Sequence, residues 1–82
     1  HLPLDVDLVC PGGIANGAGK ELPAKIKVLP HIAYAYTGHV MDFPGTINTH
    51  WETFIKQVID VTQSLAYHGF KKIILLNGHG SN

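Results

Sequence analysis

A histidine between two glycines, near one end of the chain, is the residue best suited to chemistry. His79 lies between Gly78 and Gly80 in the run Asn-Gly-His-Gly-Ser-Asn at 77–82. Glycine permits close backbone approach and positive φ angles, so this loop could direct an imidazole into a crevice. The same glycines could equally form a tight turn that leaves His79 on the surface. Spacing alone does not separate these two interpretations.

Two aspartates near the other end carry oxygen donors. If the backbone is extended there, the carboxylates of Asp5 and Asp7 lie on one side of the chain. With His1 and the distant His79 they could bind a zinc-like or manganese-like ion. The ordinary alternative is that an aspartate near a helix start caps the helix or meets its dipole. From the residues alone we favour this alternative, more clearly for Asp5 than for Asp7.

Other chemistry-bearing motifs are weak. The chain has no Gly-x-Ser-x-Gly nucleophile elbow. The glycines between Gly12 and Gly19 do not form a dinucleotide fingerprint, because no convincing buried strand precedes them. A nucleotide-binding module built on these glycines is therefore the least favoured function.

The first half of the chain predicts short elements. A helix is expected over roughly 11–21, with Pro11 in its first turn, and Pro23 follows its end. Alternating charged and apolar residues predict a strand over Lys25–Leu29. Phe43–Thr46 reads Phe-Pro-Gly-Thr and predicts a turn.

The second half predicts a helix followed by a buried strand. Thr49 and Glu52 fit a capping box at the start of a helix over 49–68, and Gly69 fits the position just after its end. Its apolar stripe comprises Trp51, Phe54, Ile55, Val58, Val61, Thr62 and Leu65. The continuous apolar run Ile73–Leu76 is typical of a parallel strand buried on both faces. These elements predict half of a doubly wound α/β unit, with ligands bound at the carboxyl ends of the strands.

Composition excludes several classes of function. The 82 residues carry 6 lysines, no arginine and 6 acidic residues, so no basic surface for nucleic acid or acidic lipid is expected. No apolar run is long enough for a membrane span. Charged residues make up only 15%, which is low for a small domain and suggests a segment of a larger protein or one that needs partners. The single cysteine, Cys10, excludes an internal disulfide; one thiol does not report a redox compartment, although it sits most easily in a reducing one. We expect a cytoplasmic location.

Three segments together resemble the creatininase (creatinine amidohydrolase) family over essentially the whole chain. They are His1-Leu-Pro-Leu-x-x-Asp7, Phe43-Pro-Gly-Thr-Ile47 and Leu76-Asn-Gly-His-Gly-Ser-Asn82. The resemblance implies a three-layer α/β/α fold with a mostly parallel sheet, of which this chain is one partial domain. It also implies a homo-oligomer, a hexamer in the family, and two divalent metal ions of zinc, manganese or iron.

The resemblance also assigns roles to individual residues. Asp7 matches the aspartate that bridges the two metals, and His79 matches a metal-binding histidine. His1 matches a histidine that lines the site, and Ser81 stands near the substrate where creatininase itself has a glutamate. His39 matches a histidine before Phe-Pro-Gly-Thr and is the catalytic candidate beside the substrate.

The implied function is a metal-dependent hydrolase with a small-molecule substrate. A metal-activated water would attack a C–N bond of a cyclic or small non-peptide amide. Because two ligands are too few for a catalytic site, we expect this chain alone to be inactive. The alternatives are a relative that opens another ring, such as a carbocyclic diketone, and a truncated non-catalytic remnant.

Overall fold

A computed structural model describes residues 6–80 and 82 of the chain. Its regular elements are helix α1 (Val6–Glu21), a 3-10 helix (Gly38–Val40) and helix α2 (Trp51–Tyr67). The described residues form two compact units, 6–33 with 76–80 and 34–75 with 82. Within these residues, neither helix has the length and apolar character needed to cross a membrane.

Helix α1 begins earlier than the sequence predicts. It starts at Val6 rather than at residue 11, so Asp7 lies in the first helical turn and Pro11 lies inside the helix. The extended conformation that would place Asp5 and Asp7 on one side of the chain is therefore not found at Asp7, and the favoured alternative, an aspartate near a helix start, is confirmed. Proline has no N–H, so the carbonyl of Asp7 cannot accept the usual hydrogen bond from residue i+4.

Gly12 and Gly19 lie on the same face of α1, where neither carries a side chain. A Cβ on Gly12 would lie 2.6 Å from Nε2 of His31, and one on Gly19 would lie 3.0 Å from Cγ2 of Val28. Gly12 and Gly19 are about 10.5 Å apart along the helix axis, and a nearly extended backbone covers about the same distance between Val28 and His31. The segment 28–31 therefore runs antiparallel to α1, and the absence of Cβ atoms allows the close approach.

The predicted α/β/α fold with a parallel sheet is wrong for the described residues. They contain two α-helices and no strand. Residues 25–29 begin with a turn in which Lys25 and Ile26 both donate to the carbonyl of Leu22, each at 3.0 Å. The run Ile73–Leu76 forms no ladder, and its side chains are 37% to 88% exposed.

The physical reason lies in what a strand requires. Each strand must exchange backbone hydrogen bonds with a neighbouring strand, and a parallel sheet also needs helices over both faces. An apolar run such as Ile73–Leu76 indicates that these residues favour burial, but it does not determine which strand they would pair with. Among the described residues no apolar side chain is fully buried, so this part of the chain closes no hydrophobic core.

In the second unit, residues 35–49 form a closed loop. The N–H of Thr49 donates to the carbonyl of Ala35 at 3.0 Å, which joins the two ends of the loop. The predicted turn at 43–46 is confirmed, because the N–H of Thr46 donates to the carbonyl of Phe43 at 3.2 Å and Gly45 has φ +88°. Proline at the second position and a positive-φ glycine at the third are typical of a type II turn.

Helix α2 confirms the predicted helix but not its capping box. The N-cap is His50 rather than Thr49, and no side chain caps the helix start. The inner part of the predicted stripe is half-buried, at Phe54, Val58, Thr62 and Leu65. Its outer members are exposed, namely Trp51, Ile55 and Val61.

The end of α2 is a Schellman motif, as Gly69 predicts. The N–H of Phe70 donates to the carbonyl of Leu65 at 3.1 Å, and the N–H of Gly69 donates to that of Ala66 at 3.0 Å. Gly69 has φ +92°, a conformation that L side chains disfavour. The glycine therefore ends the helix by satisfying carbonyls that would otherwise have no partner.

We expect Gly69→Ala to lower the free energy of unfolding by about 1–2 kcal/mol, because alanine is strained at positive φ. Gly17→Ala is the matched control: Gly17 is exposed inside α1 with nothing within 4 Å of an added Cβ. That change should stabilise the chain by up to about 1 kcal/mol. Urea unfolding followed by circular dichroism measures both, and equal effects would contradict the assigned helix end.

Candidate functional site

The loop 77–79 packs against the first turn of α1. A Cβ on Gly78 would overlap the carbonyl oxygen of Asp7 and would lie 2.8 Å from Cγ of Pro11. The backbone of Gly78 therefore lies directly against these two residues. This packing brings together two parts of the chain that carry the predicted metal ligands Asp7 and His79.

Pro11 forms part of the surface of α1 against which Gly78 packs. Because its nitrogen carries no hydrogen, the carbonyl of Asp7 has no i+4 partner inside α1. The proline ring lies beside that carbonyl and faces the same glycine. A proline that is unfavourable for the helix thus forms part of the contact with the loop.

Asn77, which precedes Gly78, stabilises the loop through its side chain. Its Oδ1 accepts a hydrogen bond from the N–H of His79 at 3.2 Å, which is the pattern of an Asx turn. His79 is half-buried, whereas Asp7 is exposed. The loop therefore holds the backbone of His79 through Asn77 on one side and through the contact of Gly78 with α1 on the other.

The structural elements that carry Asp7 and His79 differ from the predicted ones. The sequence predicts that ligands bind at the carboxyl ends of parallel strands. In the structure Asp7 and His79 share one unit through helix α1 and the loop, without a sheet. Their roles as metal ligands remain predictions.

The catalytic candidate His39 belongs to the second unit and lies in the 3-10 helix. Its side chain is exposed, and its ring centroid is 6.3 Å from that of Tyr36 at an interplanar angle of 39°. A Cβ on Gly38 would lie 3.0–3.3 Å from the Tyr36 ring, so that ring covers the glycine preceding His39. Aromatic neighbours of this kind fix the surroundings of an imidazole without removing it from solvent.

The remaining predicted site residues fall outside the described part of the chain. His1 and Ser81 are the two site residues concerned, and Asp5 lies outside as well. Across residues 6–80 and 82, no three His, Cys, Asp or Glu side chains gather closely enough to hold a metal ion. The described part of the chain therefore offers at most a pair of donors at one place.

Two residues that matter for the site were not singled out from the sequence. Pro11 was assigned to the first turn of a helix, and Asn77 was treated only as part of a polar loop. Asparagine two positions before His79 is itself an Asx-turn signal and could have been recognised. The contact between Pro11 and Gly78 joins residues that are far apart in the sequence, so no local pattern predicts it.

We expect Gly78→Ala to disrupt the contact with α1, because the added methyl would meet a backbone carbonyl that cannot swing aside. Overpacking of this kind costs about 1–3 kcal/mol. Gly80→Ala is the matched control on the other side of His79, since nothing lies within 4 Å of its added Cβ.

Urea unfolding and the amide NMR shifts of residues 6–10 and 12 would report the change. Gly78→Ala should move those shifts, and Gly80→Ala should leave them in place. Wild-type shifts and stability in Gly78→Ala would rule out the packing described above.

Comparison with known proteins identifies a family and two relatives of this chain. The creatininase family model, described as creatinine amidohydrolase, matches residues 1–82. The chain is 30% identical over 87 positions to creatinine amidohydrolase of Pseudomonas putida, covering all of this chain and 33% of that protein. It is 29% identical over 86 positions to the mycofactocin precursor peptide peptidase of Mycolicibacterium smegmatis, covering all of this chain and 34% of that protein.

The chain thus spans about a third of the length of these two relatives. No solved structure matches it. The family match extends over every residue from the first-turn aspartate to the Asn-Gly-His-Gly loop that packs beside it. The chain therefore belongs to the creatininase family.

Proposed function

We propose that the protein carrying this chain is a metal-dependent hydrolase that cleaves a C–N bond of a cyclic or small non-peptide amide. The observation that carries the proposal is the packing of Gly78 against Asp7, which brings a carboxylate-bearing turn and an imidazole-bearing loop together. Family membership adds the reaction class, since the matching family is described as creatinine amidohydrolase.

The donor types fit a divalent metal. Asp7 offers two carboxylate oxygens and His79 offers a ring nitrogen, a combination that suits zinc, manganese or iron. A catalytic zinc site uses about three protein ligands. At least one further donor must therefore come from outside the described residues. When bound, a divalent metal supplies Lewis-acid polarisation of a carbonyl and lowers the pKa of a coordinated water.

The chain's own residues position these donors. The first turn of α1 places the Asp7 carboxylate where the helix dipole favours negative charge. Asn77 holds the backbone of His79, and Gly78 fixes the loop against α1. These contacts hold close together the two backbone segments that carry the imidazole and the carboxylate.

His39 is the residue that we propose to act on the substrate. Its imidazole is exposed, and either ring nitrogen of an imidazole can donate or accept a proton. In this role His39 would donate a proton to the leaving nitrogen as the C–N bond breaks.

The substrate class is supported by the relative from Pseudomonas putida, which is named for hydrolysis of creatinine. The relative from Mycolicibacterium smegmatis is named a peptidase, so a peptide amide is the competing substrate. Neither name supports a carbocyclic diketone substrate or a non-catalytic remnant. A homo-oligomeric assembly is part of the proposal because the resemblance implies it.

We expect Asp7→Asn to remove both metal ions and turnover, because the amide lacks the negative charge with which the carboxylate would hold them. His79→Ala should remove one metal ion. Asp60→Asn and His50→Ala are matched controls: both residues are exposed, at α2 and its N-cap, and His50 makes no side-chain cap bond.

Metal analysis of the purified intact protein, with assays on cyclic amides and on a peptide, measures these effects. Full metal content in Asp7→Asn would refute the ligand assignment. If the protein turns over the peptide but none of the cyclic amides, it is a peptidase, and the proposed substrate class is wrong.

A further inference from the structure

The 3-10 helix that carries His39 is too short to hold its own shape. It has three residues, and its backbone bond runs from the N–H of Val40 to the carbonyl of Thr37 at 3.0 Å. Turns of this kind have poor hydrogen-bond geometry and gain little from cooperativity. The direction in which His39 points must therefore depend on contacts from elsewhere in the loop.

Two side chains from the returning arm of the loop supply such contacts. Oδ1 of Asn48 accepts a hydrogen bond from the N–H of Thr37 at 2.7 Å, just before the 3-10 helix. The hydroxyl of Thr46 donates to the carbonyl of Val40 at 3.1 Å, at its end. His39 thus lies between two anchored points, and Thr37, Val40, Thr46 and Asn48 are all half-buried.

Neighbouring bonds fix the two anchoring residues themselves. The hydroxyl of Thr37 donates to the carbonyl of Ile47 at 3.1 Å, which ties the two arms together between the anchors. The type II turn fixes the backbone of Thr46 through its bond to Phe43 and leaves the hydroxyl available to Val40. The Phe-Pro-Gly-Thr motif therefore ends in a threonine whose side chain reaches the His39 segment.

We propose that Thr46 and Asn48 are positioning residues for His39. They hold the two ends of the 3-10 helix, and through it they set the direction of the imidazole. The catalytic consequence rests on the function proposed above, in which His39 acts on the substrate. The positioning itself does not depend on that function and can be measured separately.

The first test follows the His39 ring by NMR in the full chain labelled at histidine. Thr46→Val keeps the shape of the side chain but removes the donor, and Asn48→Ala removes the acceptor. Thr46→Ser and Asn48→Asp keep the donor and the acceptor, respectively. Thr62→Val is the matched control, because its hydroxyl bonds only to carbonyls inside α2, at 2.9 and 3.0 Å.

We expect Thr46→Val and Asn48→Ala to shift and broaden the His39 ring signals. Thr46→Ser, Asn48→Asp and Thr62→Val should leave the signals as in the native chain. Either disruptive variant suffices by itself if the other misfolds. Native His39 signals in a folded disruptive variant, or failure of both conservative variants to restore them, would overturn the proposal.

The second test uses turnover by the intact protein. We expect Thr46→Val and Asn48→Ala to lower kcat by about tenfold to a hundredfold with little change in KM, since misplacing a catalytic group affects the transition state more than binding. A further outcome is that His39→Ala leaves turnover unchanged while the His39 ring signals of the otherwise native chain still respond to Thr46→Val. That result would refute the role of His39 in the proposed function and would leave the positioning proposal intact.

Discussion

The contact between Gly78 and the carbonyl of Asp7 is the interaction on which the candidate site depends. It requires a residue without a Cβ in the loop and a carbonyl released from the helical pattern by Pro11. Both conditions are met by residues that are poor choices for regular structure: a proline within a helix and a glycine after an apolar run. Local stability is lowered at each position so that two distant segments can approach closely.

The sequence predicted those features whose causes are local. The helix over 49–68, its end at Gly69 and the turn at 43–46 all follow from the residues next to them, and the structure confirms them. The capping box failed although its residue types were right. The helix begins one residue later, with His50 as N-cap, and the N–H of Thr49, which a capping box pairs with the Glu52 side chain, donates instead to the carbonyl of Ala35.

The features that failed depend on distant parts of the chain. Lys25–Leu29 and Ile73–Leu76 have strand-like composition, but a ladder needs neighbours that neither run can specify. For the site, the metal roles predicted for residues 7 and 79 came from the family resemblance and not from their types alone, while the contact of Gly78 with Pro11 did not follow from any local pattern. The anchors of the 3-10 helix were missed because each joins residues six or eleven positions apart.

The apolar run at 73–76 has a consequence for this segment wherever nothing covers it. Ile74 and Leu75 are 88% and 66% exposed, in a short stretch rich in β-branched residues and without charge. Such stretches promote self-association through strand pairing between molecules. Lys71 and Lys72 stand immediately before the run, and Gly78 follows soon after it. Repulsion between paired lysines of neighbouring molecules opposes in-register stacking, so these two charges act as gatekeepers against aggregation.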